Sequence, residues 1–292
     1  MGASLEEAGP ARTIHLITPE YPPAPGGVAA HTRILADGLR ERGLRMVVWS
    51  PAGHGGIEDV RSGAVRPLLG RLLPGDLLTV GRKILAEGGT VLLQWVPHGY
   101  GLRSLNLPFC LWIWYLSRMG VPVYLMAHEL FVAFTGTWRQ KTAAVIHHLM
   151  LAILVRAAFR IWASSGHYCR LLGRFMPESH ERPGLMPSFS NIPVHEDPGQ
   201  VSALRSKYLD SDNPRQVLVG HFSTMGPMIR SQLEDCLLNI HQQDRGIQFL
   251  FIGSGSSSFF DRICATRPDL AGRCIPTGFL SEREVSLHLQ CC

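Results

Sequence analysis

Three short stretches carry residue types that could do chemistry. His128 and Glu129 stand side by side directly after an apolar run. An imidazole placed there can relay a proton or hydrogen-bond a sugar hydroxyl, and a neighbouring carboxylate can orient it. The plainer alternative is a solvated His-Glu turn. Gly26 and Gly27 follow Pro22 and Pro23 in a loop leading into a helical stretch. Two glycines let the backbone approach a ligand closely, and the helix start presents unpaired N–H groups at the positive end of the helix dipole. The same residues would also make a tight turn that holds nothing. The third stretch, Gly253-Ser254-Gly255-Ser256, begins like a dinucleotide fingerprint, but Ser258 stands where the third Gly or Ala is needed. No acidic residue is clearly placed on a following strand to hold a ribose, so an NAD-dependent oxidoreductase is disfavoured. A turn whose amides face a nucleotide or phosphate fits better.

Other chemistries are excluded by what surrounds their residues. His147 and His148 are adjacent on a helical stretch, so they face different ways, and no Asp or Glu stands three or four positions further on. A metal site is not expected. Seven cysteines with irregular spacing and no C-x-x-C pair argue against a disulfide scaffold and a structural zinc, and point to a reducing cytosol. Neither a G-x-S-x-G elbow nor a Walker A sequence occurs.

The elements that must position these residues alternate in type. Thr13–Thr18 is a short apolar run ended by Pro19, as a buried strand would be. Val28–Arg42 places Val28, Leu35 and Leu39 on one side and Arg33, Asp37 and Arg40 on the other, the pattern of an amphipathic helix, with Gly43 as its C-terminal cap. Leu44–Trp49 returns as a strand. Val91–Val96, Val121–Ala127 and Arg160–Ser164 read as further strands, joined by helices at 109–119 and 142–159. The Gly-rich stretch 53–74 reads as loop with one strand. Alternation of this kind implies parallel sheets covered on both faces. The carboxyl edge of such a sheet collects both Gly26-Gly27 and His128.

Five prolines between Pro177 and Pro198 mark a linker, giving an N-terminal domain over 1–190 and a C-terminal one over 191–292. The second begins its own α/β rhythm: strands at 216–220, 247–252 and 274–277, with helices at 229–241 and 259–265. A last helix starts at Ser281, with Glu284 in the capping-box position.

The chain carries a net charge of +5, unevenly spread. Residues 1–190 hold 19 Lys or Arg against 12 Asp or Glu, while residues 191–292 hold 9 against 11. The basic residues are scattered and form no recognition motif, so nucleic acid is not an expected partner. A basic first domain suits peripheral contact with an anionic membrane surface, or solubility alone. The N-terminus has no apolar core of a signal peptide, and the apolar stretch 143–163 is interrupted by His147, His148, Arg156 and Arg160. A cytoplasmic protein is expected, with any membrane contact made from the inner face.

The string Thr18-Pro-Glu-Tyr-Pro-Pro-x-x-Gly-Gly-Val-x-x-His31, followed by Leu35, Leu39, Arg42-Gly43 and the strand Met46–Trp49, resembles the opening of the family 4 glycosyltransferases. Ala127-His128-Glu129, Ser190-Asn191-Ile192-Pro193, Phe251-Ile-Gly-x-Gly255 and Thr277-Gly-Phe-Leu-Ser281 follow in family order, so the resemblance covers nearly the whole chain. It implies the GT-B fold, two Rossmann-like doubly wound parallel-sheet domains, with a nucleotide sugar held mainly by the second. It further implies sugar transfer from a UDP- or GDP-sugar with retention of configuration, without a catalytic metal or other cofactor. The acceptor would be a sugar, a polysaccharide or a lipid-linked species. By position, Gly26 and Gly27 would approach the donor diphosphate or the acceptor, and His128 would contact the reacting sugar. Gly220, the loop 222–226 with Ser223 and Thr224, and Gly253 and Gly255 would line the nucleotide pocket.

Two departures from the family pattern bear on this expectation. Many members place an Arg and a Lys after the first C-domain strand to neutralise the diphosphate, whereas here Arg230 is the one permanent charge near that loop. The family's Glu-x7-Glu donor motif would follow the helix at 281–289, beyond Cys292. The resemblance therefore implies a truncated transferase with an incomplete second domain. The alternative is a non-catalytic α/β binding protein, or an inactive remnant, that keeps the cleft.

Overall fold

The computed structural model describes residues 13–24, 26–101, 104–131, 134, 137–177, 181–210 and 216–292. The chain divides into two units, Met1–Asn191 and Ile192–Cys292. In chain order the first comprises β1 (Ile14–Ile17), α1 (Gly27–Glu41), β2 (Met46–Pro51), α2 (Ile57–Arg61), β3 (Val65–Gly70), α3 (Pro74–Glu87), β4 (Thr90–Trp95), α4 (Leu107–Arg118), β5 (Val123–Ala127), α5 (Trp138–Ala157), β6 (Arg160–Ala163), α6 (Gly166–Leu172) and β7 (Gly184–Leu185). The second comprises α7 (Pro198–Tyr208), β8 (Leu218–Phe222), α8 (Pro227–Gln243), β9 (Gln248–Ile252), α9 (Ser256–Thr266), α10 (Pro268–Ala271), β10 (Cys274–Pro276) and α11 (Glu282–Gln290).

Because helices connect successive strands, the strands pair in parallel. The first unit forms a seven-stranded sheet in the order β3-β2-β1-β4-β5-β6-β7, and the second a three-stranded sheet in the order β10-β9-β8. In the first sheet the chain travels outward from β1 to β3, then outward the other way from β4 to β7. The carboxyl ends of β1 and β4 are thus the topological switch point, where open α/β sheets leave a crevice. Tight register holds the centre: Ile17 lies opposite both Trp49 and Leu93, and Trp95 opposite Ala127.

Apolar side chains fill both faces of this sheet. On one, Trp49, Leu93, Trp95, Val123 and Leu125 pack against α3, α4 and α5 through Leu77, Val80, Phe109, Ile113, Leu151 and Leu154. On the other, Leu16, Val48 and Val65 pack against Ala36, Leu35 and Leu39 of α1. His15 is buried inside β1 and is structural: Nδ1 accepts from Trp49 Nε1 at 3.1 Å, and Nε2 donates to the carbonyl of Gly88 at 2.9 Å.

Local signals set most of the ends. Asn106 caps α4 by accepting from Phe109 N at 3.0 Å. Ser281 and Glu284 make the reciprocal capping box that their spacing requires. Several elements depart from the sequence reading. The stretch read as loop with one strand contains both α2 and β3, and α3 follows it. Helix α3 carries Gly75 and Gly81, poor helix formers. Gly81 is needed because a methyl there would sit 2.8 Å from Trp112 Nε1 of α4. Helix α5 begins at Trp138, ahead of the expected 142, on a Thr137/Gln140 capping box. The proline-rich linker contains β7, which pairs with β6.

Candidate functional site

The i, i+3, i+7 spacing on α1 buries Ala29, Thr32 and Ala36, and His31 lies on the same inward side. Thr32 is tied to the end of β1 by a hydroxyl contact with Thr18 at 3.2 Å. The His31 ring stacks on Phe189, centroids 4.3 Å apart, and meets His128 edge-on at 4.7 Å. His128 follows β5 directly and its main chain is held from both flanks. Its N–H donates to the carbonyl of Trp95 at 3.0 Å, and its carbonyl accepts from Ser164 Oγ at 3.0 Å. The ring is fixed as well, with Nε2 lying 2.7 Å from Gln94 Oε1. An amide oxygen only accepts, so Nε2 carries the proton and Nδ1 keeps its lone pair. Gln94 is fully buried near the end of β4, its main-chain carbonyl accepting from the Tyr100 hydroxyl at 2.5 Å.

This cluster lies at the switch point, and it is short of partners. Both ring nitrogens of His31 and Nε2 of Gln94 are buried without a hydrogen bond among the described residues. Burial lowers the pKa of both histidines. For His128, burial acts first and the neighbouring His31 second, and together they bring it to about 4. At neutral pH the pair is uncharged. An uncharged, oriented imidazole can hydrogen-bond a hydroxyl but exerts no charge attraction on a phosphate.

The structure separates two residues that the sequence paired. Glu129 is exposed, and the partner of the His128 ring is Gln94 rather than this carboxylate. The two glycines of the α1 loop also differ. A methyl on Gly26 would meet the Glu20 carboxylate at 2.3 Å, whereas nothing lies within 4 Å of one on Gly27. The Glu20 carboxylate accepts from Ala29 N at 3.1 Å, so the start of α1 already holds an anion from its own chain. Gly27 is the open position.

In the second unit the remaining candidates converge on the carboxyl edge of the three-stranded sheet. A methyl at Gly253, whose φ is +131°, would sit 2.1 Å from the Ser223 carbonyl oxygen, and one at Gly255 2.1 Å from that of Thr224. These glycines therefore serve first to press the loop after β9 onto the loop after β8. Ser223 Oγ accepts from Met225 N at 3.0 Å and contacts His221 Nε2 at 2.9 Å. Arg230 Nε donates to the carbonyl of Met225 at 2.8 Å, and its Nη2 to Ser258 Oγ at 3.3 Å, clamping the β8 loop to α9. The caps of α8 and α9, Gly226 and Gly255, provide no side-chain cap. Two helix starts and one guanidinium thus share this edge. Gly220 lies behind it, where Cys292 Sγ fills the space a methyl would take, at 2.6 Å.

Motif reasoning misses Gln94, although the sequence carries a signal for it. It is the polar residue inside the apolar run Val91–Val96, where a strand buried on both faces should be apolar throughout. Among the described residues no group of three or more His, Cys, Asp or Glu could hold a metal ion, and no helix is long and apolar enough to cross a membrane.

No family model and no curated protein matches the sequence. Solved structures do match the fold. HepE of Anabaena, in complex with UDP and glucose, superposes with a TM-score of 0.56 at 16% identity, over 96% of this chain and 72% of that one. The apo form of the lipopolysaccharide outer core galactosyltransferase WaaB gives 0.59 at 11% identity, over 94% and 70%. The catalytic domain of Starch Synthase IV from Arabidopsis thaliana, bound to ADP and acarbose, gives 0.54 at 11%, over 96% and 76%. At these identities the likeness is one of fold: parallel α/β sheets of the GT-B type.

Proposed function

We propose that the chain is a nucleotide-sugar glycosyltransferase of family 4 type, acting with retention and without a catalytic metal. The observation that carries this reading is the uncharged His128 imidazole, fixed by Gln94 at the switch point of a GT-B sheet. Such a group suits a sugar hydroxyl and not a phosphate. Three of the fold's similar structures bind or transfer sugars or glucans by their names, which supports the same ligand class here. The diphosphate belongs to the second unit, where Arg230 and the first-turn amides of α9 would stabilise the charge that develops as it departs. Gly27, with open space beside it, lies on the acceptor side, and the acceptor is a sugar or a lipid-linked species.

One observation favours a second reading, a binding protein without turnover: the Glu20 carboxylate occupies the start of α1, a place open to a substrate anion in the first reading. Release of nucleoside diphosphate from a panel of UDP-, GDP- and ADP-sugars separates the two. Transfer predicts release from at least one donor, reduced a hundredfold or more by His128→Ala. Donor binding with no release above the enzyme-free rate would leave the binding reading in place.

A further inference from the structure

Helices α3, α4 and α5 lie side by side on one face of the seven-stranded sheet, with α4 packed against both neighbours. Their inner sides fill the core described above, so their outer sides all look away from the sheet. The outer side of a surface helix is ordinarily polar. On α4 it consists of Leu111, Trp114, Tyr115, Arg118 and Met119, a single stripe at i, i+3, i+4, i+7 and i+8, and its apolar members are 43 to 53% exposed. On α5 the stripe continues through Trp138, Lys141, Val145, Leu149 and Arg156, with Trp138 72% exposed. On α3, exposed Leu78 stands near Arg82 and Lys83.

The charge of α4 and α5 has one sign, whereas α3 carries Asp76, which accepts from the N–H groups of Arg71 and Leu73, and Glu87, which is paired with Arg66. Helices α4 and α5 carry Arg118, Arg139, Lys141 and Arg156. Neither α4 nor α5 contains an Asp or Glu. Exposed Trp, Tyr and Leu interleaved with cations are what the interface of an anionic bilayer accepts: the rings settle at headgroup level and the cations meet lipid phosphates. A second copy of this chain is a poor occupant, because two such faces would set like charges against each other. No described helix spans a membrane, so the contact is one of lying on the bilayer.

We infer that the outer side of the α3–α4–α5 layer is a docking surface for an anionic lipid bilayer. Trp114, Tyr115 and Trp138 enter the headgroup region, and Arg118, Lys141 and Arg156 pair with phosphates. This goes beyond sugar transfer and stands apart from it, since vesicle binding requires no turnover.

Co-sedimentation of the full chain with vesicles of phosphatidylcholine and phosphatidylglycerol (7:3) tests the inference against phosphatidylcholine alone. Binding to the anionic vesicles is expected, and it should weaken at 0.5 M salt. Arg118→Gln and Lys141→Gln should each weaken it roughly fivefold, and Trp114→Ser with Trp138→Ser at least tenfold. As a readout on the unaltered chain, bilayer-embedded bromolipids should quench its tryptophan fluorescence, because Trp114 and Trp138 are exposed while Trp49, Trp95 and Trp112 are buried. No binding at millimolar anionic lipid would overturn the inference. So would binding without quenching that the double tryptophan variant leaves unchanged, or a dimer formed through these residues in place of vesicle binding.

Discussion

Acidification should destabilise the first unit through His128, and the size of the effect follows from its burial. The folded pKa of about 4 lies below the ordinary value of 6.5. The imidazole's contribution is therefore fully present above pH 6.5, is lost as pH falls towards 4, and is level below that. At pH 4.5 an unfolded imidazole is about 99% protonated and the folded one about a quarter, a difference worth about 2.5 kcal/mol. His31, also lowered by burial, adds loss of the same sign. Every tryptophan of the chain lies in the first unit, so urea unfolding followed by tryptophan fluorescence reports on that unit alone. Between pH 7.5 and 4.5 the unaltered chain should lose about 2.5 kcal/mol more stability than His128→Gln, which has no proton to gain. Parallel losses in the two proteins would refute the reasoning, as would an NMR titration placing the His128 midpoint near 6.5.

Three substitutions divide structural from functional roles. Gly253→Ala forces a side chain into a backbone region that is almost wholly glycine's and against the Ser223 carbonyl. It should cost about 3 kcal/mol locally, seen as faster amide exchange across residues 218–226 and 248–256. Gly27→Ala meets no neighbour and should leave the unfolding free energy unchanged or up to about 1 kcal/mol higher in urea titration, yet reduce sugar transfer tenfold or more. Unchanged transfer would remove Gly27 from the acceptor side. Gln94→Leu keeps the volume of a buried side chain but releases the His128 ring. Transfer should fall at least tenfold in kcat, with donor KM little changed; a change in KM alone would contradict a role through His128.

What could be read from sequence was what depends on neighbours in sequence. The strand run at 13–18, the amphipathic α1 and the Ser281/Glu284 box each follow from residues within one or two turns. The partners of His128 do not. Gln94 and His31 lie 34 and 97 positions away, and only the order β1-β4-β5 brings them together. Glu129 was paired with His128 because it is adjacent, but adjacent residues after a strand diverge. Helix α3 was hidden by its glycines, whose reason lies on α4 in Trp112. The sequence pattern singles out the loop glycines Gly253 and Gly255. Their first task, admitting two carbonyls of the β8 loop, is a packing fact with no local signal.

The most direct test of the account is equilibrium binding of UDP, GDP and ADP to the full chain by titration calorimetry, repeated with Arg230→Gln. The account predicts saturable one-to-one binding of at least one of these nucleotides, weakened tenfold or more when Arg230 is replaced. No binding of any of them at millimolar concentration, or binding that ignores Arg230, would contradict it.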